Sequence, residues 1–111
     1  MSIELSTWVK KRRFRYDGSV SQGTRIYYGK KGTYCVTSGQ YTEMLRHFNG
    51  TEVPLGAIRN LEERPQESLG RWIADNVKTI TTIVSYVAPI LEHEGHCEHG
   101  AGTNVRFKHH G

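Results

Sequence analysis

The sequence predicts an α+β domain in which a small β element precedes a helical half that closes on a hairpin. Three observations carry that expectation. Residues 7–36 are rich in β-branched and aromatic types, several at even spacing. From Thr37 onward, apolar residues recur at steps of three and four. The chain then ends in two short segments separated by Gly100-Ala101-Gly102, a turn signal. At 111 residues the chain is expected to form one compact unit with a small core. Within it, residues 1–36 read as a basic β-hairpin element and residues 37–111 as a helical domain.

In the first element, Trp8, Phe14 and Tyr16 alternate with basic residues, which predicts a strand over 7–16. Asp17-Gly18-Ser19 predicts a turn. Residues 24–36 are divided by Gly29-Lys30-Lys31-Gly32, which predicts a hairpin with a basic tip.

Thr37 or Ser38 can cap the next element, a helix carrying Tyr41, Met44, Leu45 and Phe48 on one face and stopped at Gly50. A linker with Pro54 and Gly56 follows. Pro65 is suited to open a second helix, Gln66–Asp75, with Leu69, Trp72 and Ile73 as its apolar face and Glu67 near its positive end. A third helix is expected from Thr81 or Thr82, with Ile83, Val84, Val87, Ile90 and Leu91 inward and Gly95 as its stop. Pro89 lies inside that run and is expected to kink it. Glu92 and Glu94 fall in the last turn, where a carboxylate opposes the helix dipole. In the terminal hairpin, a three-residue loop would pair 99 with 103, 97 with 105 and 95 with 107. That register puts Cys97, Val105 and Phe107 on one face, and His96, Glu98, Asn104, Arg106 and Lys108 on the other.

Charge is unevenly spread. Residues 1–31 hold eight basic side chains against two acidic ones, a net of +6, and residues 32–111 hold seven against nine, a net of −2. A field that attracts polyanions is therefore expected from the first third of the chain. The first residues meet Lys10 without an apolar run before it, so no secretory signal is read, and no segment is apolar enough to span a membrane. A cytoplasmic protein with Cys35 and Cys97 as free thiols is the expectation.

The succession of helix, linker, short helix, turn, longer helix and glycine-tipped hairpin over residues 40–108 resembles a winged helix-turn-helix. Gln66–Asp75 corresponds to the short helix, 76–79 to the turn, Ser85-Tyr86-Val87-Ala88-Pro89-Ile90-Leu91 to the longer helix, and Glu94-Gly95 to the opening of the wing. The resemblance implies a recognition helix at about 81–94 in the major groove of double-stranded DNA. Thr79, Thr81, Thr82, Ser85 and Tyr86 would then lie near bases, with Lys78 and Arg71 beside them. Arg106 and Lys108 of the wing would hold phosphate. Lys10, Lys11, Arg12, Arg13 and Arg15, with Lys30 and Lys31 at the hairpin tip, would reach flanking backbone or a second groove. The expected protein is a DNA-binding regulator or accessory factor of a phage or mobile element. It would need no cofactor and no metal, and a homodimer would give it two half-sites.

Two other classes stand beside this one. A fold of this kind can serve as a protein-interaction or dimerisation module. A small hydrolase or nuclease would need a convergent constellation, and the candidates are thin. His93, His96, Cys97 and His99 are bunched rather than arriving as two ligand pairs. Asp17 and Asp75 occupy different contexts, where nuclease chemistry wants clustered carboxylates. Cys35 with His47 is a conceivable nucleophilic pair, but Cys35 sits in an aromatic strand. Gly29–Gly32 lacks the spacing of a phosphate-binding loop. The aromatics among the N-terminal cations offer one further use: exposed beside Arg15 and Arg25, Tyr16 and Tyr28 would stack unpaired bases.

Overall fold

The computed structural model describes residues 2–57, 63–77 and 83–109. Seven strands and three helices lie among them, in two antiparallel sheets. Strands β1 (Ile3–Ser6), β2 (Arg13–Ser19), β3 (Gly23–Tyr28) and β4 (Gly32–Val36) form a meander in the order β1-β2-β3-β4. Helix α1 (Ser38–Phe48), strand β5 (Glu52–Val53), helices α2 (Leu69–Val77) and α3 (Val84–His93), and strands β6 (Cys97–His99) and β7 (Val105–Phe107) follow. The second sheet has the order β5-β7-β6.

The N-terminal element is thus a four-stranded sheet, not the hairpin the sequence predicts. Ile3–Ser6 adds a strand because Ile3 and Leu5 turn toward the core while Glu4 and Ser6 face out, opposite Tyr16, Phe14, Arg15 and Arg13 respectively. The strand expected over 7–16 is broken. Residues 7–12 form a turn closed by the Thr7 amide on the Arg12 carbonyl (2.9 Å) and the Arg12 amide on Thr7 Oγ1 (3.0 Å). Lys11 in that turn takes φ 54°, a left-handed conformation no strand contains. Asp17-Gly18-Ser19 belongs to β2, and the chain reverses after it. Gly18 is needed there for close approach: at φ 91° a Cβ would sit 2.2 Å from the Gly23 carbonyl oxygen across the ladder.

The helices follow the periodicity with shifted ends. Thr37 caps α1 and Gln40 completes a capping box, each bonding the other's backbone amide. Tyr41, Met44 and Phe48 are its buried stripe. Helix α2 begins three residues later than expected. Ser68 caps it, its hydroxyl accepting the Arg71 amide, and both the Ser68 amide and hydroxyl donate to the Pro65 carbonyl. Pro65 therefore shapes the loop before the helix instead of opening it, and Glu67 falls outside. The start of α2 lies hard against the linker: a Cβ on Gly70 would meet the Gly56 carbonyl oxygen at 2.2 Å. Helix α3 carries Pro89 within it, and Gly95 ends it in a Schellman arrangement, with the His96 amide on the Leu91 carbonyl and the Gly95 amide on that of Glu92. Thr81 and Thr82, its expected start, lie outside the described residues.

The terminal hairpin pairs Cys97 with Phe107, Glu98 with Arg106 and His99 with Val105. This register is two residues away from the expected one, and a five-residue loop replaces the three-residue one. The Gly100 amide on the Asn104 carbonyl and the Asn104 amide on the Ala101 carbonyl close that loop. A shift of two preserves the faces, so Cys97, Val105 and Phe107 are buried as expected.

One core joins both sheets and all three helices, from Phe14, Tyr16 and Ile26 through Tyr41, Met44 and Ile73 to Val87, Leu91 and Phe107. Helix α3 sits in the middle of it. Val84, Val87, Ala88, Pro89, Ile90 and Leu91 are all buried. The meander lies directly on this helix and is fastened to its end by carboxylates. Glu94 accepts the Tyr16 hydroxyl (2.6 Å) and the Val20 amide (2.9 Å), and Glu92 accepts the Trp8 indole N–H (3.1 Å). Burial and the Glu94 carboxylate both push the Tyr16 phenol far above its ordinary range, keeping it a proton donor. No helix among the described residues is long and apolar enough to cross a membrane.

Candidate nucleic-acid interface

Strand alternation splits the meander into two surfaces. Phe14, Tyr16, Ile26 and Val36 face the core, while Arg13, Arg15, Arg25, Tyr27, Thr33 and Cys35 face outward. Register aligns the outer residues across strands: Glu4, Arg15, Tyr27 and Thr33 form one row, and Asp17, Arg25 and Cys35 the next. Within the first row the Arg15 guanidinium lies over the Tyr27 ring, 4.6 Å from its centroid. The Tyr27 hydroxyl donates to Asp17 (3.1 Å). Asp17's carboxyl is held below its usual range, first by the Ser2 hydroxyl, then by Tyr27 and the nearby Arg15.

Meander topology brings the cations together. The β1–β2 turn and the β3–β4 turn project from the same end of an up-and-down sheet. Lys10, Lys11 and Arg12 stand on the first turn, Lys30 and Lys31 on the second, and Arg13 and Arg15 on the adjoining stretch of β2. All seven are exposed. Arg13 pairs with Glu4 at 3.2 Å, and among the described residues no carboxylate lies within ion-pair distance of the other six. A groove of about 470 Å³ lies beside the β3–β4 turn, lined by Arg13, Arg15, Tyr27, Tyr28, Lys30 and Lys31, with Glu4 among its other walls.

The aromatic floor beneath is fixed. Tyr28 folds across Gly32, where a Cβ would collide with its ring at 2.4 Å, and stacks on Tyr86 of α3 with centroids 4.9 Å apart. Phe14 meets the same tyrosine edge-on at 5.0 Å. Burial raises the Tyr86 phenol pKa, with Tyr28 adding to the rise and Arg12 opposing it. Tyr16 is fully buried and Tyr28 half-buried under this packing, so the outward aromatic beside Arg15 and Arg25 is Tyr27, not the expected pair.

The other residues expected at an interface are placed differently. Ser85 and Tyr86 are half-buried, and Tyr86 turns into the sheet. Arg71 is half-buried and pairs with Asp75 at 3.4 Å. Lys78, Thr79, Thr81 and Thr82 lie outside the described residues. On the hairpin, Arg106 is clamped by Glu52 (3.0 Å) and Glu98 (3.3 Å), while Lys108 is exposed. Glu52 also accepts the Asn104 side-chain amide and the Ala101 amide, and these bonds with Arg106 pull its carboxyl down to about 2. The hairpin arginine thus already has its anions.

Sequence reasoning named Arg25, Glu92 and Glu94 without placing them, and gave no role to Val9. Tyr27 and Arg25 belong to the outer face, a fact that needed the strand register. Val9 stands exposed in the β1–β2 turn. Glu92 and Glu94 are tertiary anchors. Their position at a helix C-terminus hid this, because the bonds that stabilise them come from residues more than seventy positions away.

The histidine and cysteine segment is dispersed by the hairpin. Cys97 is buried with its thiol toward the Ala88 carbonyl (3.8 Å), and burial pushes that thiol up to about 12. His99 stacks on Trp8 at 3.7 Å and approaches Glu92 at 3.6 Å. Among the described residues no group of three or more His, Cys, Asp or Glu side chains is gathered to hold a metal ion. No family model, curated protein or solved structure matches this chain.

Proposed function

We propose that this chain binds nucleic acid, and double-stranded DNA in particular, through the basic end of its N-terminal sheet. One observation carries the reading: seven exposed cations from three segments converge on one end of a rigid sheet, and six have no carboxylate partner among the described residues. Such a cluster costs self-repulsion unless a polyanion neutralises it. Phosphate contacts of this kind fix position and supply most of the affinity.

The second half supports a winged helix-turn-helix reading through its three helices and terminal hairpin. We read it as a scaffold. The helix expected to enter a groove is packed beneath the meander, and Arg106 of the terminal hairpin is neutralised by Glu52 and Glu98. The protein would then act as a regulator or accessory factor whose contacts come chiefly from the β1–β2 and β3–β4 turns. A protein-interaction module is the second reading, favoured by the acidic balance of residues 37–111.

The test is fluorescence anisotropy of a labelled random-sequence duplex and its single strand across a salt series. Binding with a log–log salt slope of about −4 to −6, as five to seven phosphate contacts give, supports the proposal. No binding of either form at low salt removes it and turns the search to protein partners.

A further inference from the structure

We propose that Val9 is an apolar wedge, pressed by the cations around it into a base step of duplex DNA from the minor groove. The inference rests on the nucleic-acid reading above and gives it a binding mode. Among the described residues Val9 is the only exposed large apolar side chain, 58 % exposed. It stands in the most basic turn of the molecule, followed directly by Lys10, Lys11, Arg12 and Arg13.

The scaffold fixes that exposure. Trp8, the residue before it, is buried, held by its indole bond to Glu92 and its stack on His99. The two Thr7–Arg12 bonds close the turn, and Lys11 holds its left-handed conformation within it. Val9 is therefore presented to solvent on a hydrogen-bonded turn. A β-branched side chain is stiff at χ1, so little freedom is lost on insertion. Proteins that bind the minor groove insert apolar side chains between base pairs, kink the duplex and recover the unstacking cost in backbone contacts. Arginines beside such a wedge suit the strongly negative potential of a narrow minor groove. An anionic membrane would also attract these cations, but one valine offers far less apolar area than membrane-surface helices bury.

The experiment uses the full chain and a duplex carrying 2-aminopurine at a central TA step. Saturating wild-type protein is expected to raise the fluorescence as the reporter unstacks. Val9→Ser, a surface change that spares the fold, is expected to bind about tenfold more weakly, with an unchanged salt slope and no rise. Val9→Leu should retain both properties. A wild-type rise from Val9→Ser, or a saturated wild-type complex without any rise, overturns the wedge while leaving nucleic-acid binding intact. Absence of duplex binding by the wild type overturns both. Loss of binding to phosphatidylserine vesicles in Val9→Ser, with duplex binding unaltered, assigns the tip to a membrane and also overturns the proposal.

Discussion

Two antiparallel hairpins, β1–β2 and β6–β7, both expose arginine and differ in electrostatics. Among the described residues, Arg12 in the first has no carboxylate within ion-pair distance. Arg106 in the second is held between Glu52 and Glu98. Both side chains sit beside glycine- or lysine-rich turns in a chain of net charge +4. The difference is made by what pairs across the ladder. β5 brings Glu52 opposite Arg106, and β6 brings Glu98, whereas β1 brings only Glu4 to β2, where it serves Arg13. Arg106 is neutralised by carboxylates on both neighbouring strands, while the cations of the β1–β2 turn lie outside any ladder and meet no carboxylate within ion-pair distance among the described residues.

The strongest way to break this comparison is to remove the unpaired set. The triple variant K10Q/K11Q/R12Q is expected to lose about 100-fold in duplex affinity at fixed salt, because three released counterions each lower the observed constant severalfold. Titration of the labelled duplex checks it. An affinity within a factor of three of wild type would place the phosphate contacts elsewhere.

The next effect concerns the clamp that holds the meander to α3. Glu94→Ala leaves the Tyr16 hydroxyl and the Val20 amide without their acceptor, which is expected to cost about 1–3 kcal/mol. Urea denaturation measures it, through a lowered midpoint at unchanged slope. The same variant should weaken DNA binding only in so far as the protein unfolds.

A smaller effect concerns the terminal hairpin. The Glu52 carboxyl is held at about 2, below its ordinary 4.5, so the folded state favours the ionised form. Its contribution is therefore fully present above about pH 4.5 and is lost as pH falls toward 2. Thermal melts across that window should show a decline that Glu52→Gln flattens. An identical acid decline in both proteins would mean the Glu52–Arg106 pair is immaterial to stability.

The mildest test distinguishes the two thiols. Cys35 is exposed on the outer face of the meander and Cys97 is buried with its thiol held protonated. Native protein should react at one thiol with a disulfide-exchange reagent, and at two in denaturant. Rapid native labelling of both would contradict the packing of the hairpin on α3.

How much of this could be read from the sequence follows the range of the interactions. Helix α1 was legible because its signals are local: Thr37 and Gln40 form the capping box, and Tyr41, Met44 and Phe48 repeat at helical steps. The cations of the site were legible by composition, and their convergence was not. It depends on β1, a four-residue strand recognisable only once Ile3 and Leu5 have a partner in β2. The faces of the terminal hairpin were right and its register was not, because a two-residue slip changes every pair and no face. Glu92 and Glu94 show the opposite failure. The helix dipole, a local argument, marks them as unfavourable, and the bonds from Trp8, Tyr16 and Val20 override it.

If phosphate is held by the β1–β2 turn and not by the terminal hairpin, the two sites should separate in their response to salt. The most direct measurement is the salt slope of duplex binding for wild type, K10Q/K11Q/R12Q and Arg106→Gln, side by side. The slope should fall by about 3 in the triple variant and stay unchanged in Arg106→Gln. A slope that falls by about 1 in Arg106→Gln, with the triple variant equal to wild type, would contradict it.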